Sequence, residues 1–313
     1  MKASRLTCVL AVVVGCAAPR STASSSEGSA PVPNAPALKS MLTFDEVANT
    51  PAPPADHRES YGAGAPQYGE LRLPRSRTRA PVVVLLHGGC WRAAYDHAHV
   101  AAAAASLADA GFAVWVPEYR RVGEDGGGWP GTFDDVASAV DYVRTLAARY
   151  PVLDTTRVIL SGHSAGGQLA LWAASRKSAD MRAGAPRPLA VAGVVSLAGI
   201  TDLAAYASPS GCGSAVVPLL GGTFAEVPDR YRAVSPIERV PLGVPVRLIH
   251  GASDPTVPLD QVRRFAERAT AAGDRVVLTE VPGAGHFDVV APQSVAWPAV
   301  LEAIRALTDP HGR

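Results

Sequence analysis

The stretch RVILSGHSAGG, residues 157–167, decides the fold. Its first half, RVILSG, is an aliphatic run that ends in glycine, and this predicts a buried strand. From Ala165 to Ser175 the chain is rich in alanine and leucine, which predicts a helix. Gly162, His163, Ser164, Ala165 and Gly166 stand at the junction. Glycines on both sides let a serine sit on a sharp strand-to-helix turn with its hydroxyl presented at the strand's end. The helix that follows aims its N-terminal amides at any negative charge forming there. The plain alternative is a tight turn with a structural serine.

Working outward, the same alternation repeats. APVVVLLHGG (80–89), FAVWVPEY (112–119), VAGVVSLAG (191–199), PVRLIHG (245–251) and RVVLTEVPG (275–283) predict further buried strands. Helices are expected over 94–110, 132–150, 258–272 and 291–307. Strands alternating with helices specify an α/β fold, a mostly parallel central sheet with helices on both faces. Residues 203–242 break the rhythm, and we read them as a small cap-like excursion over the C-terminal edge of the sheet, where open α/β sheets bind ligands.

A serine hydroxyl is a poor nucleophile at neutral pH and needs a base, and the base needs an orienting acid. After a strand–serine–helix turn the expected chain order is serine, acid, histidine. IHGASDPTVP (249–258) places Asp254 just past one predicted strand, and PGAGHFD (282–288) places His286 just past the next. Alone, Asp254 reads as a turn former before Pro255, and His286 as a surface residue in a glycine-rich loop. Together with Ser164, in that order and each at a strand end, they form a candidate catalytic triad. LLHGGCWR (85–92) follows another strand, so the backbone amides of Gly89 and Cys90, with that of Ala165, are the candidate oxyanion hole. Gly88 supplies the turn and His87 braces the loop. Trp91 and Trp129 are candidate walls of a substrate pocket, with core packing as an equal alternative. Tyr119, Arg120, Asp134 and Asp135 suggest a structural polar network below the site, and Asp288 either supports the His286 loop or is solvated.

HGG-x-W, GHSAGG, the Asp254 loop and GHFD together resemble the α/β-hydrolase superfamily. The likeness is to the hormone-sensitive-lipase-like esterases, and closer still to the feruloyl/acetyl esterase (BD-FAE-like) and arylformamidase branch. The segment PEYRRVGEDGGGWPGTFDD (117–135) is similar to that group's Tyr-Arg…Pro…Asp stretch. The likeness runs over residues 65–307. It implies an α/β-hydrolase fold, ester hydrolysis through an acyl-enzyme, and no metal or organic cofactor. Two positions depart from the pattern: Cys90 stands where the group has glycine, and His163 where many relatives have aspartate.

The 29 Lys and Arg balance 28 Asp and Glu, and no basic stripe carries interleaved aromatics, so nucleic acid is not an expected partner. The four cysteines show no zinc-type spacing. Lys2, Arg5 and the short apolar run LTCVLAVVVGC read as an export signal ending in a lipobox-like VVGC. On that reading residues 1–15 are a lipoprotein signal peptide. Cys16 is lipidated and anchors the chain to a membrane of the cell envelope, residues 16–39 form a Ser/Ala/Pro-rich linker, and residues 40–313 form the hydrolase domain. The alternative is an ordinary signal cleaved near residues 16–18, leaving a soluble secreted or periplasmic protein. In an oxidising compartment Cys90 and Cys212 are able to pair, although sequence does not settle the connectivity. The expected activity is hydrolysis of short-chain carboxylic esters. The alternatives are an amidase or peptidase of arylformamidase type, and a non-catalytic binding protein on a hydrolase scaffold. The oligomeric state is not specified by these features.

Overall fold

The computed structural model describes residues 38–76, 78–177 and 187–308. The leader, Cys16 and nearly all of the linker lie outside the described residues. The described strands are β1 (His57–Ser60), β2 (Tyr68–Arg72), β3 (Ala80–Leu86), β4 (Ala113–Pro117), β5 (Leu153–His163), β6 (Gly193–Leu197), β7 (Val246–Gly251) and β8 (Val276–Val281). They form one sheet in the order β1-β2-β4-β3-β5-β6-β7-β8. From β4 to β8 every neighbouring pair is parallel, while β1 and β2 add an antiparallel edge.

Strand side chains alternate between two cores, because successive residues of a strand point to opposite faces. Val82, Val84 and Leu86 of β3 join Trp115, Leu160 and Leu248 on one face. Val83 and Leu85 join Val114, Ile159 and Ile249 on the other. Each such fully buried side chain stabilises the fold by about 1.5–3 kcal/mol. The first face is covered by helices Gly131–Asp141, Val143–Arg149, Ala165–Ala174 and Leu259–Ala271, the second by Ala101–Asp109 and Trp297–Thr308. Helix Ala165–Ala174 is apolar on nearly every side because β5 and β6 lie beneath it and the 203–242 excursion lies above.

The expected parallel sheet with helices on both faces is present, with local differences. The helix expected over 94–110 is a 3-10 turn at His97–Val100, capped by Asp96, that leads into Ala101–Asp109. The helix expected over 132–150 breaks at Tyr142 into two segments. The last helix starts at Trp297, six residues late, with Pro298 in its first turn, where a missing N–H costs nothing. The β1–β2 hairpin was not expected: β1 alternates half-buried and exposed residues and carries no apolar run. The excursion is built of short helices, Leu203–Tyr206, Val216–Leu220 and Pro228–Val234, joined by turns. Among the described residues no helix is long and apolar enough to cross a membrane.

Candidate active site

β5 carries the chain to Ser164, which has φ 57° and ψ −118° and starts helix Ala165–Ala174. Left-handed backbone is costly for a residue with a Cβ, and such residues cluster where a function needs them. The turn is held by Ser164 N–H donating to the Leu197 carbonyl at 2.9 Å. The flanking glycines are required by contact. A Cβ on Gly162 would lie 2.2 Å from the Gly166 carbonyl oxygen, and one on Gly166 would lie 2.2 Å from the Leu86 oxygen. Across the turn, a Cβ on Gly88 would meet Ser164 Cβ at 3.1 Å and the His163 carbonyl oxygen at 2.7 Å, so the HGGC loop lies directly against the serine.

The loops after β7 and β8 bring Asp254 and His286 together. His286 Nδ1 donates to Asp254 Oδ2 at 2.7 Å. The other carboxylate oxygen accepts the Thr256 N–H at 2.7 Å and the Val257 N–H at 3.0 Å. Burial opposes ionisation of this side chain. The His286 bond and charge, the Val257 N–H and His250 outweigh it, so Asp254 titrates below the ordinary carboxylate range. Its Oδ1 and Oδ2 are thereby committed, which fixes the plane of the His286 ring. His286 is also held from behind: its carbonyl accepts His163 Nε2–H at 2.9 Å, and the two rings pack with centroids 4.8 Å apart. The residue before Ser164 therefore ties the serine turn to the histidine loop. Asp288 takes the supporting role considered from the sequence. It is fully buried, and its Oδ2 accepts the Gly285 N–H at 2.8 Å and the Leu42 N–H at 3.2 Å.

The third loop, after β3, runs through three consecutive left-handed residues: Gly89 (φ 101°), Cys90 (φ 54°) and Trp91 (φ 55°). Its other members are each anchored. His87 pairs with Glu118 and stacks on Tyr119 at 4.4 Å, while Tyr119 donates to the His87 carbonyl at 2.8 Å. Gly88 N–H donates to His99 Nε2 at 3.3 Å, and Arg92 N–H returns to the Gly89 carbonyl at 3.0 Å. Among the described residues neither Gly89 nor Cys90 donates its N–H within the turn. Ala165, the first residue of its helix, has no intrahelical acceptor for its N–H. These are the three amides expected to bind an oxyanion. Cys90 is joined to Cys212 by a disulfide, with Cα atoms 5.1 Å apart, which settles the pairing left open by the sequence.

Two expectations are corrected. Trp91 is not a pocket wall: it has no accessible surface, and its indole N–H donates to Gln168 Oε1 at 3.0 Å. It follows the core alternative because the left-handed loop turns its side chain inward. Asp134 is exposed and, among the described residues, acts on Arg120 through charge without a side-chain bond, whereas Asp135 grips Arg120 through both oxygens at 2.8 and 2.7 Å. Trp129 is half-buried, beside Phe133 with centroids 5.7 Å apart.

Three buried side chains carry roles that the sequence motifs do not assign. Gln168 links the site to the excursion by accepting from Trp91 and donating to the Val234 carbonyl at 2.9 Å. His250 directs Nε2–H to the Val257 carbonyl at 2.9 Å, with Asp254 Oδ2 at 3.4 Å. His99 meets His163 Nδ1 at 3.4 Å. Burial drives His99 down to about 3 and His163 well below the usual imidazole range, so both stay neutral. A signal was present: His87, His163, His250 and His286 all lie at or just past the C-terminal ends of parallel strands.

A strained serine turn, a buried carboxylate–imidazole pair and a glycine-rich loop at the C-terminal edge of a mostly parallel sheet define an α/β-hydrolase. The chain belongs to the BD-FAE family, whose model matches residues 70–269. It is 30% identical over 222 residues to Esterase LipC of Mycobacterium tuberculosis, covering 67% of this chain and 54% of that protein. It is 28% identical over 236 residues to Esterase LipQ of the same organism, covering 72% and 54%. The chain thus spans about half the length of these curated relatives. Among solved structures it is similar to a truncated carbohydrate esterase from gut microbiota, with TM-score 0.69, 23% identity, and 82% and 99% of the two chains covered. It is also similar to the native thermophilic esterase Est2 of Thermogutta terrifontis, with TM-score 0.66, 23% identity, and 86% and 100% covered.

Proposed function

We propose that the protein is a serine carboxylesterase acting on short-chain acyl esters. The observation that carries the reading is the 2.7 Å bond from His286 Nδ1 to buried Asp254, on a histidine whose backbone is tied to the residue preceding the strained Ser164. With Nδ1–H committed to the carboxylate, Nε2 holds the lone pair that a general base requires. In this mechanism His286 Nε2 takes the proton as Ser164 Oγ attacks the ester carbonyl. The amides of Gly89, Cys90 and Ala165 hold the oxyanion, and Asp254 stabilises the imidazolium. His286 then protonates the leaving alcohol. Water attacks the acyl-enzyme with His286 again as base, and the acid is released.

Two findings favour small esters. The curated relatives are named esterases, which favours an ester over the amide alternative. The described helices of the excursion are only four to seven residues long, unlike the large apolar lid helix of a lipase. The Cys90–Cys212 disulfide supports function in an oxidising compartment, in keeping with export and with a Cys16 lipid anchor.

The test is hydrolysis of p-nitrophenyl esters from acetyl to dodecanoyl by the wild type and by Ser164→Ala. Turnover peaking at the shortest chains and lost in the variant is the expected result. Ester turnover that survives Ser164→Ala, or no turnover of any ester, would overturn the reading.

A further inference from the structure

We infer that the Cys90–Cys212 disulfide is a positioning device for the oxyanion hole, holding the Cys90 amide in a left-handed backbone conformation that favours glycine. The inference rests on the serine-hydrolase reading above. It starts from the three left-handed residues at 89–91. Gly89 adopts that geometry without a Cβ, and has no room for one, since a Cβ would lie 2.3 Å from Tyr95 Cβ. Trp91 is not a glycine, but it is pinned by complete burial, by the bond from its indole to Gln168, and by its carbonyl accepting the Val122 N–H at 2.8 Å. Cys90 has none of these supports. It is half-buried, and among the described residues its own N–H and carbonyl make no backbone bond, the turn around it being closed by Arg92 N–H donating to the Gly89 carbonyl. Its side chain packs in part against the core and is tied covalently to Cys212.

The partner lies on a different structural unit. Cys212 belongs to the 3-10 turn Gly211–Ala215 of the excursion, 122 residues along the chain. A second link runs parallel to the first, from Arg92 Nη2 to Ser214 Oγ at 2.8 Å. The cross-link thus replaces glycine's conformational freedom with a covalent restraint, and it makes the oxyanion loop and the excursion one body. When the bond opens, a non-glycine residue is left in a left-handed well without its covalent restraint. It relaxes toward right-handed backbone, and rotation about its φ and ψ carries the neighbouring amides away from the oxyanion. Both sulfurs belong to half-buried residues. A dithiol supplies two electrons and two protons, leaving thiols at Cys90 and Cys212 and its own sulfurs joined as a cyclic disulfide.

The experiment uses the full chain in its oxidised form and p-nitrophenyl acetate. kcat, KM and circular dichroism are measured with and without dithiothreitol, for the wild type, Cys212→Ser and Cys90→Gly/Cys212→Ser. Reduction, or Cys212→Ser, is expected to lower kcat by about tenfold or more, with KM within about twofold and the dichroism spectrum unchanged at the assay temperature. Cys90→Gly/Cys212→Ser, which restores glycine at the strained position, is expected to regain most of the lost kcat and to ignore the reductant. A merely structural cross-link would not give that rescue, since the double variant lacks the bond as completely as Cys212→Ser. The inference is overturned if reduced wild type keeps its kcat, if kcat falls only as the folded fraction falls, if glycine gives no rescue, or if native protein shows two free thiols. Oxidised wild type with no Ser164-dependent turnover would sink the serine-hydrolase reading, and the inference with it, before any reductant is added.

Discussion

Asp254→Asn gives a sharp test of the proposed chemistry because the structure dictates how the new amide must sit. One carboxylate oxygen accepts two backbone N–H groups, from Thr256 and Val257, and the other accepts the His286 proton. Asparagine keeps the first two bonds only by placing its carbonyl oxygen there, which turns its NH2 toward His286. The reverse orientation aims NH2 at two backbone donors and leaves them unpaired, at about 1–3 kcal/mol for each buried group. An NH2 group can only donate, so His286 must present a bare Nδ1 and carry its proton on Nε2. Nε2 is the atom that has to accept the serine proton, and the variant therefore holds the wrong tautomer in an otherwise retained geometry. The expected loss is on the order of 10⁴ in kcat, about 5.4 kcal/mol of transition-state stabilisation, with little change in KM. Steady-state kinetics on p-nitrophenyl acetate measure kcat and KM, and a thermal melt checks that the fold is retained. A kcat within tenfold of the wild type, or a loss carried mainly by KM, would refute the assignment of Asp254 and His286 as orienting acid and base.

Two further outcomes follow from the packing and the charges around the site. Gly166→Ala places a Cβ 2.2 Å from one backbone oxygen and 2.4 Å from another, neither of which is a mobile side-chain end. The elbow must therefore shift, with about 1–3 kcal/mol lost in chemical denaturation and turnover reduced at least tenfold; a variant with native kcat would show that the turn is not a strained nucleophile elbow. His97 bridges Glu70 and Glu118. Burial lowers its pKa, but hydrogen bonds and charge from the two carboxylates prevail and raise it to about 9. Because the folded value lies above the unfolded one, this stabilisation is fully present below about pH 6.5 and is lost as pH rises through 9, on the order of 2–3 kcal/mol. Denaturation at pH 6.5 and pH 10 should show the wild type losing that much more than His97→Gln, and parallel losses would remove His97 from the account.

The reach of the sequence reading follows from which features are periodic. The apolar runs of β3, β4, β6 and β7 were legible because a parallel sheet covered on both faces needs continuous aliphatic strands. The elbow, the Asp254 loop and the His286 loop were legible because each follows such a run and so falls at one edge of the sheet. What stayed hidden depends on geometry between distant segments. The β1–β2 edge has too few buried residues to show a period. Trp91 is one aromatic after two glycines and a cysteine, and only its φ of 55° decides that it faces the core and not a ligand. Gln168 and His250 look like an ordinary helix residue and a strand residue until Trp91 and Asp254 are set against them.

The hidden features also share a physical reason. Among the described residues the non-glycine positions with positive φ are Met41, Cys90, Trp91, Ser164 and Ala198, and three of these five lie in the elbow or the loop facing it. Left-handed backbone at such residues does not persist on local propensity; the surroundings must over-determine it. For Ser164 the restraint is the bond to Leu197 together with glycines packed against backbone. For Trp91 it is burial and Gln168, and for Cys90 a covalent bond to a segment 122 residues away. Apart from the glycines that flank Ser164, each of these restraints comes from a part of the chain remote from the strained residue, and no local pattern encodes it. The motif therefore announces where the site is, whereas the long-range contacts determine whether its amides and hydroxyl point the right way. Substitutions in those contacts should accordingly act on kcat more than on KM, although none of them touches substrate.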